Sequence, residues 1–179
     1  MTPQPPALGH AAFSRCGHYR WWLERVWDPQ RPRLIFIGLN PSQADGQRDD
    51  PTLRRLRGFA DRWGYGALEV LNLFARISAS PVALRRVADP IGSQADRWLL
   101  QRLAAHPAAP LWLGWGNQGC WRQRDQRVLT LLHQPPRLLL AVGFTATGQP
   151  RHPLYVPNAA KPLQLQHAEG ASLRPSGPL

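Results

Sequence analysis

The apolar positions of this chain follow two patterns, an alternating one near the beginning and short continuous runs further along. Apolar and polar residues alternate from Tyr19 to Trp27, which predicts an early strand that pairs with Ala12–Arg15 in an N-terminal β hairpin. Continuous apolar runs of strand length are typical of strands that are buried on both faces. Such runs occur at Leu34–Leu39, Ala67–Phe74, Leu111–Trp115 and Arg137–Val142.

Helical patterns separate these runs. Asp50–Pro51 can cap and open a helix that Gly64 ends, with its apolar residues on one face. Further helices are expected after Ser80–Pro81, from Ser93 to about Ala105, and over Gln118–His133. Strands that alternate with helices predict an α/β domain with a largely parallel sheet. We expect one domain over residues 10–158, with flexible tails at 1–9 and 159–179, where apolar periodicity is weak.

Composition adds limits on the environment of the protein. No apolar run approaches the ~18 residues that a membrane helix needs, and the first residues lack the pattern of a signal peptide. A cytoplasmic protein without a membrane partner is therefore expected. We also expect the protein to be a monomer. The two cysteines, Cys16 and Cys120, are too few for an iron–sulfur cluster or a cysteine-rich zinc site. We expect both to be buried, reduced thiols.

The charge is strongly positive, with 22 Lys and Arg against 11 Asp and Glu and a formal net charge of +11. Such a balance favours polyanionic partners, because neutralised phosphates release their counterions. Arginine, which here outnumbers the single Lys161, also makes bidentate contacts with phosphate and guanine. The alternative is a compositional bias of the whole sequence, in which arginine carries no information about nucleic acid.

Candidate chemistry lies just after the strands, where ligands bind in parallel α/β sheets. Asn40 could hold a water through its carbonyl oxygen, or merely close a turn. Asn72, within an apolar stretch, needs partners, which could be a neighbouring loop or the edge of a pyrimidine. His152 stands on a loop stiffened by Pro153, where a neutral imidazole could donate to an oxygen that gains negative charge, or serve a structural role.

Other site types are less well supported. The sequence has no phosphate-binding glycine fingerprint and no nucleophile elbow. Asp45, Asp49 and Asp50 could bind a metal, but loop solvation and helix capping explain them more simply. No metal or cofactor is expected. A base in the cavity would need an aromatic neighbour, for which Phe59, Phe74 and Trp115 are candidates.

The order of these motifs is more specific than each alone. Four of them, Ile37-Gly38-Leu39-Asn40-Pro41, Leu71-Asn72, Leu113-Gly114-Trp115-Gly116 and His152-Pro153, together resemble the uracil-DNA glycosylase superfamily. A wider pattern resembles a bacterial family, domain of unknown function 1643. It consists of Ala12-Phe13-Ser14, Tyr19-Arg20, Leu39-Asn40-Pro41-Ser42, Asp50-Pro51-Thr52, Asn72-Leu73-Phe74, Asp89-Pro90-Ile91-Gly92, Trp115-Gly116 and Arg151-His152-Pro153-Leu154.

The glycosylase resemblance implies a three-layer α/β/α fold with a four-stranded, mainly parallel sheet beside the hairpin. It also implies roles, with Asn40 positioning the attacking water and His152 stabilising the departing base. The residues expected to bind the base are Gly38, Leu39, Pro41, Asn72, Phe74 and Trp115. Those expected to contact DNA are Ser42, Arg151, Pro153, Leu154 and Tyr155. Ser42 and Leu154 depart from the superfamily's usual residues, so uracil itself need not be the substrate.

The resulting hypothesis is a DNA glycosylase-like hydrolase that acts on a damaged or modified base flipped out of DNA. Two alternatives stay open. One is a non-catalytic protein that binds nucleic acid, RNA included, or a nucleotide on the same fold. The other is a hydrolase of free nucleosides or nucleotides, which needs no basic surface around the pocket. The positions of the arginines, above all Arg54, Arg55 and Arg57 and then Arg122, Arg124 and Arg127, should separate duplex binding from the rest.

Overall fold

A single eight-stranded mixed sheet forms the centre of the molecule, in the order β1-β2-β4-β3-β5-β6-β7-β8. The structure is a computed structural model and describes residues 7–132, 136–168 and 172–176. The strands are β1 (Leu8–Phe13), β2 (Arg20–Val26), β3 (Arg33–Gly38), β4 (Ala67–Asn72), β5 (Leu111–Leu113), β6 (Leu139–Ala141), β7 (Leu163–Ala168) and β8 (Ser172–Pro175). The four central strands pair in parallel, and the two strands at each edge pair antiparallel.

The predicted four-stranded, mainly parallel three-layer fold is therefore wrong. The sheet has eight strands, and four of its seven pairings are antiparallel. The expected hairpin is not separate, because β2 continues the sheet through β4. At the other edge, β7 and β8 arise from the segment expected to be a tail, 159–179. Strands at a sheet edge lack the continuous apolar runs of doubly buried strands, so the apolar pattern finds only the centre.

The helices are α1 (Pro51–Arg62), α2 (Pro81–Arg85), α3 (Ala95–Ala105) and α4 (Arg124–Leu132). None of these helices, in the part of the chain that is described, combines the length and the apolar character needed to cross a membrane. The start of α1 follows from its sequence. Asp50 Oδ1 accepts a hydrogen bond from the Leu53 backbone N–H at 2.7 Å, and Pro51 occupies the first helical turn, where its missing N–H costs nothing.

Two helix predictions need correction. The helix expected over Gln118–His133 is broken, since a 3₁₀ segment at Asn117–Gln123 precedes α4 and His133 lies outside the described residues. The break falls at Arg122 and Gln123, whose φ angles of 55° and 54° place them in the left-handed region. For α3, the capping position is Gln94 rather than Ser93.

Apolar side chains pack on both faces of the sheet, because successive residues of a strand point to opposite sides. In β3, Ile35 and Ile37 join one core cluster, while Leu34 and Phe36 join the other. The largest side chains of the second cluster include Trp112, which contacts Phe36 edge to face at 4.9 Å between ring centroids. This packing fixes β3 in the middle of the molecule, so the residues that follow it are held firmly.

An ion cluster joins the sheet to α3. Glu69 of β4 is fully buried, and its carboxylate lies 2.6 Å from Arg102 Nε and 3.6 Å from Arg33 Nη1. His106 Nε2 lies 3.4 Å from the same carboxylate, but burial lowers the pKa of this histidine. The two arginines therefore provide the charge that compensates Glu69, and they tie β3 and α3 to β4.

Candidate functional site

A cavity of about 630 Å³ opens where β3, β4 and β5 end at the same edge of the sheet. This volume lies in the range of pockets that bind small molecules. Ten of the thirteen site residues expected from the sequence line it: Gly38, Leu39, Asn40, Ser42, Asn72, Trp115, Arg151, His152, Leu154 and Tyr155. The chain thus brings residues more than a hundred positions apart to one place.

Three expected site residues do not line the cavity. Phe74 is fully buried and packs against Trp121, with 5.1 Å between ring centroids. Pro41 and Pro153 are also buried, and their backbone carbonyl oxygens accept from Asn40 Nδ2 and from Arg55 Nε. These three residues are therefore part of the protein interior and not of the cavity wall.

Asn40, directly after β3, is held by its amide nitrogen. Its Nδ2 donates to the carbonyl oxygens of Pro41 and Ser78, each at 3.0 Å. Two carbonyl acceptors fix the orientation of the amide, because only the NH₂ group can donate to them. Oδ1 accepts no hydrogen bond from any described residue. Asn40 therefore lines the cavity with a fixed group whose oxygen is available to a water or a ligand.

Asn72, at the end of β4, is held by its oxygen instead. Its Oδ1 accepts from Arg20 Nη2 at 3.3 Å, so its NH₂ group is left to donate. The nitrogen lies close to Gly38, where an added Cβ would be 3.2 Å from Nδ2 and 2.8 Å from Cε1 of Phe36. Gly38 thus gives room to these two side chains of the protein.

Arg20 is a site residue that the sequence analysis does not identify. It lies at the start of β2, is only 4% exposed and lines the cavity. Its Nη1 donates to the carbonyl oxygen of Ala44 at 2.9 Å. An arginine in an alternating strand gives no sign of burial, and only the pairing of β2 with β4 brings it to Asn72.

His152 follows the loop after β6 and is partly buried. Its Nδ1 accepts from the Leu154 backbone N–H at 3.3 Å, so Nδ1 carries no proton. Burial lowers the pKa of His152 to about 4. At neutral pH the imidazole is therefore uncharged, and its proton is on Nε2. The residue lines the cavity as a neutral hydrogen-bond donor.

Aromatic surface comes from Phe36 and Trp115, which are both nearly fully buried and line the cavity. Trp115 is fixed by its Nε1, which donates to Gln149 Oε1 at 2.7 Å. Phe36 was not among the expected aromatic residues. Its ring lies between the backbones of Gly38 and Gly114, where an added Cβ would lie 2.8 Å and 2.6 Å from ring carbons. Paired glycines on neighbouring strands are the sequence signal that could have indicated it.

At the mouth of the cavity the side chains are exposed. Leu154 and Tyr155 have 42% and 76% of their surface accessible, and Arg151 beside them is also exposed. Opposite this loop, Ser42 Oγ hydrogen-bonds to Asp50, the residue that caps α1. An apolar and an aromatic side chain next to a cation form a surface that can contact a large, negatively charged partner.

The six arginines named for their position on two helices are mostly bound within the protein. Arg57 pairs with Asp49, and Arg54 donates to the Asp49 carbonyl oxygen at 2.6 Å. Arg124 and Arg127 both pair with Asp96. Arg55 binds backbone carbonyls of the loop that carries His152, and Arg122 lies over the ring of Trp121. These six therefore do not form a basic track past the cavity.

The three clustered carboxylates have separate structural roles. Asp49 pairs with Arg25, Asp45 accepts from backbone N–H groups in its own turn, and Asp50 caps α1. Within the described ranges, no group of three or more His, Cys, Asp or Glu side chains is arranged to hold a metal ion. The cysteines differ from expectation in one respect, since Cys16 and Cys120 are free but exposed rather than buried.

Comparison with known proteins gives one match. A family model described as "Protein of unknown function (DUF1643)" matches residues 20–154, which include every residue that lines the cavity except Tyr155. No curated protein and no solved structure matches the chain.

Proposed function

The chain belongs to the DUF1643 family, and we propose that it is a DNA glycosylase-like hydrolase that cleaves the N-glycosidic bond of a damaged or modified base flipped out of DNA. One observation carries this proposal. Asn40, Asn72 and His152 line a single cavity, and their contacts within the protein leave one amide oxygen and two N–H donors for a ligand. The resemblance of these motifs to the uracil-DNA glycosylase superfamily supports the same chemistry.

Cleavage of an N-glycosidic bond through a loose transition state does not need a strong base to activate the attacking water. When the bond between C1′ and the base nitrogen breaks, its electron pair leaves with the base and the sugar becomes oxocarbenium-like. A water held by Asn40 Oδ1 then attacks C1′ without a strong base, and its proton passes to the departing base or to solvent. The Nε2–H of His152 donates to an oxygen of the base that gains negative charge. A preorganised donor of this kind contributes about 2.7–4 kcal/mol.

The exposed mouth suits a DNA substrate. Flipping a base costs a few kcal/mol, and a side chain that fills the vacated space reduces this cost. Tyr155 and Leu154 are large enough to enter the stack, and Arg151 beside them would bind a neighbouring phosphate. Phe36 and Trp115 supply the aromatic wall against which the flipped base would pack.

A panel of oligonucleotides tests the proposal. Each carries one damaged or phage-type modified base in single- or double-stranded form, and abasic sites made by the full chain are cleaved with alkali and separated on a gel. We expect at least one base to be released, and activity to fall about a hundredfold or more in Asn40→Ala and His152→Gln. Arg97→Ala, which removes an exposed charge on α3, is the matched control and should keep full activity.

Two results would contradict the proposal. The first is the absence of cleavage across the panel, and the second is an activity that survives both pocket substitutions in folded protein. If the same oligonucleotides bind without cleavage, in a salt-dependent manner that Asn40→Ala does not change, the non-catalytic nucleic-acid binder is the better description.

A second candidate is a hydrolase of free nucleosides or nucleotides. It is favoured by the arginines of α1 and α4, most of which bind carboxylates or carbonyls of the protein rather than facing the cavity. Chromatography of reactions with free nucleosides distinguishes the two. Release of the base from nucleosides at a higher kcat/KM than from the matching oligonucleotide supports this second candidate.

A further inference from the structure

Arg20 combines deep burial with incomplete pairing. Nη1 and Nη2 each make one hydrogen bond, to Ala44 O and Asn72 Oδ1, but the buried Nε has no partner among the described residues. Nor is Arg20 a member of any ion pair in the part of the chain that is described. A buried guanidinium without a carboxylate or a full set of acceptors is costly, so a ligand that supplies acceptors would be stabilised strongly.

Asp50 interacts electrostatically with Arg20, but it does not supply the hydrogen-bond acceptor that Arg20 lacks. Asp50 favours the charged form of Arg20, but its two oxygens are already engaged by Ser42 Oγ and the Leu53 N–H. Burial nevertheless lowers the pKa of Arg20 to about 10, so the side chain is still positively charged at neutral pH. A positively charged guanidinium thus lies in the wall of the cavity, where Asp50 attracts it without forming an ion pair with it.

The pairing of Arg20 with Asn72 also defines the polarity of this wall. Because Asn72 Oδ1 is occupied by Arg20 Nη2, the amide offers its NH₂ group to a ligand. Arg20 has only N–H groups to offer. Arg20 and Asn72 therefore both present donors to a ligand, and the acceptor that the cavity offers, Asn40 Oδ1, belongs to another residue.

We propose that Arg20 is a specificity-determining residue, which with Asn72 selects an anionic nucleobase, one whose ring carries a carboxylate, over the neutral base of the same shape. This inference rests on the proposed function, because it names the class of base that the same cavity accepts. The ring lies against Phe36 and Trp115, and the carboxylate oxygens accept from the second N–H groups of Arg20 Nη1 and Nη2, which each make one hydrogen bond within the protein. Both partners are planar, so a bidentate pair is possible.

Calorimetric titration of the full chain with two free bases tests this inference. 5-Carboxyuracil and thymine share one ring and differ in a carboxylate for a methyl group. We expect the carboxylated base to bind about tenfold to a hundredfold more tightly, as a charge-assisted hydrogen bond at a buried site would produce. Equal binding of the two bases would overturn the selection by charge while leaving the base pocket intact. Binding of neither base would overturn this inference, while the proposed function is decided separately by the oligonucleotide panel.

Variants assign the preference to Arg20. Arg20→Met keeps the length of the side chain but removes its charge, and the preference should disappear. Circular dichroism shows whether that variant folds. If it does not, Asn72→Asp tests the role of the Arg20 charge instead. Its carboxylate neutralises Arg20 and should make thymine the better ligand. Arg97→Ala is the control for general attraction of anions and should keep the preference. A folded Arg20→Met or Asn72→Asp protein that still prefers 5-carboxyuracil contradicts the inference.

Discussion

Arg55 of α1 donates from Nε to the carbonyl oxygen of Pro153 at 2.8 Å. The same guanidinium also binds Val156 O and, at 2.6 Å, Asn158 Oδ1. One side chain thus fixes the loop on both sides of the 3₁₀ turn Pro153–Tyr155, whose first residue follows His152 directly. The helix that begins beside the cavity and the loop that carries its imidazole therefore form one rigid unit.

Arg55→Met should release this loop and reduce the activity of the site. Small misplacements of a catalytic group cost up to about a hundredfold in rate, so we expect kcat of the released-base assay to fall ten- to a hundredfold. The neighbouring Arg54→Met is the matched control, because Arg54 binds Asp49 O rather than the loop. Equal rates for the two variants would show that the contact with Pro153 is not needed.

Gly38→Ala should disturb the base wall without unfolding the protein. The added methyl group would lie 2.8 Å from Phe36 Cε1 and 3.2 Å from Asn72 Nδ2, so one of these side chains must move. We expect base affinity to fall at least tenfold, with a loss of about 1–3 kcal/mol in stability from overpacking. Titration and thermal unfolding measure the two effects separately. Gly46→Ala, where the added carbon is 3.7 Å from its nearest neighbour, should change neither.

Glu69→Gln should be strongly destabilising. The carboxylate is fully buried beside Arg102 and Arg33, and its removal leaves Glu24 as the carboxylate that pairs with both arginines. Loss of one member of a buried ion pair costs about 3–5 kcal/mol. Urea unfolding of Asp61→Asn provides the comparison, because the side chains of Asp61 and Arg31 are 39% and 32% exposed and pairs that water reaches contribute about 0–1 kcal/mol. Similar losses for both variants would contradict this account of the cluster.

The apolar pattern of the sequence predicts the strands that hold the site, but not the size of the sheet. Leu34–Leu39 and Ala67–Phe74 stand out because β3 and β4 are buried on both faces, and the polar residues that follow them reach the cavity. The strands β7 and β8 have too few apolar residues to be distinguished from a tail. These strands belong to the sheet through backbone pairing of β7 with β6 and of β8 with β7, and such pairing gives no pattern of apolar side chains.

The hydrogen-bond partners of the polar site residues cannot be predicted from the sequence either, because they depend on which strands and loops are neighbours. Asn40 and Asn72 can be identified from their positions after strands, but the orientation of each amide depends on Ser78 and Arg20, which are distant in sequence. Arg20 and Phe36 are missed because a strand residue shows its surroundings only once the neighbouring strands are known. Phe74 was expected to contact the base because it follows Asn72, but it points into the core.

The stability of the protein should fall between about pH 6.5 and pH 4 through His152. Burial lowers the pKa of this histidine from 6.5 to about 4 in the folded state, so the unfolded chain binds the proton first as the pH falls. The resulting loss is at most about 3 kcal/mol, complete near pH 4 and absent above about pH 7. Urea unfolding at a series of pH values, compared with His152→Gln, measures it. An unchanged pH dependence in the variant would assign the effect to other groups.

Asn40→Asp tests why an amide, and not a carboxylate, stands at this position. In the substituted protein a carboxyl oxygen replaces Nδ2, 3.0 Å from both Pro41 O and Ser78 O, and an ionised group there has two acceptors facing it. We expect a loss of about 1–3 kcal/mol at neutral pH and no gain in activity, although a carboxylate would be the stronger base. Protonation restores one donor, which raises the pKa of the new carboxyl group, so the loss should shrink as the pH falls toward about 5.

Asn158→Asp is the matched control, since Asn158 already accepts from Arg55 through Oδ1 and an added charge there is compatible with the contact. The free energies of unfolding of both variants at neutral pH and at about pH 5 test this prediction. A stable and more active Asn40→Asp protein would mean that the amide is not fixed by Pro41 and Ser78, and that its orientation in the cavity is free.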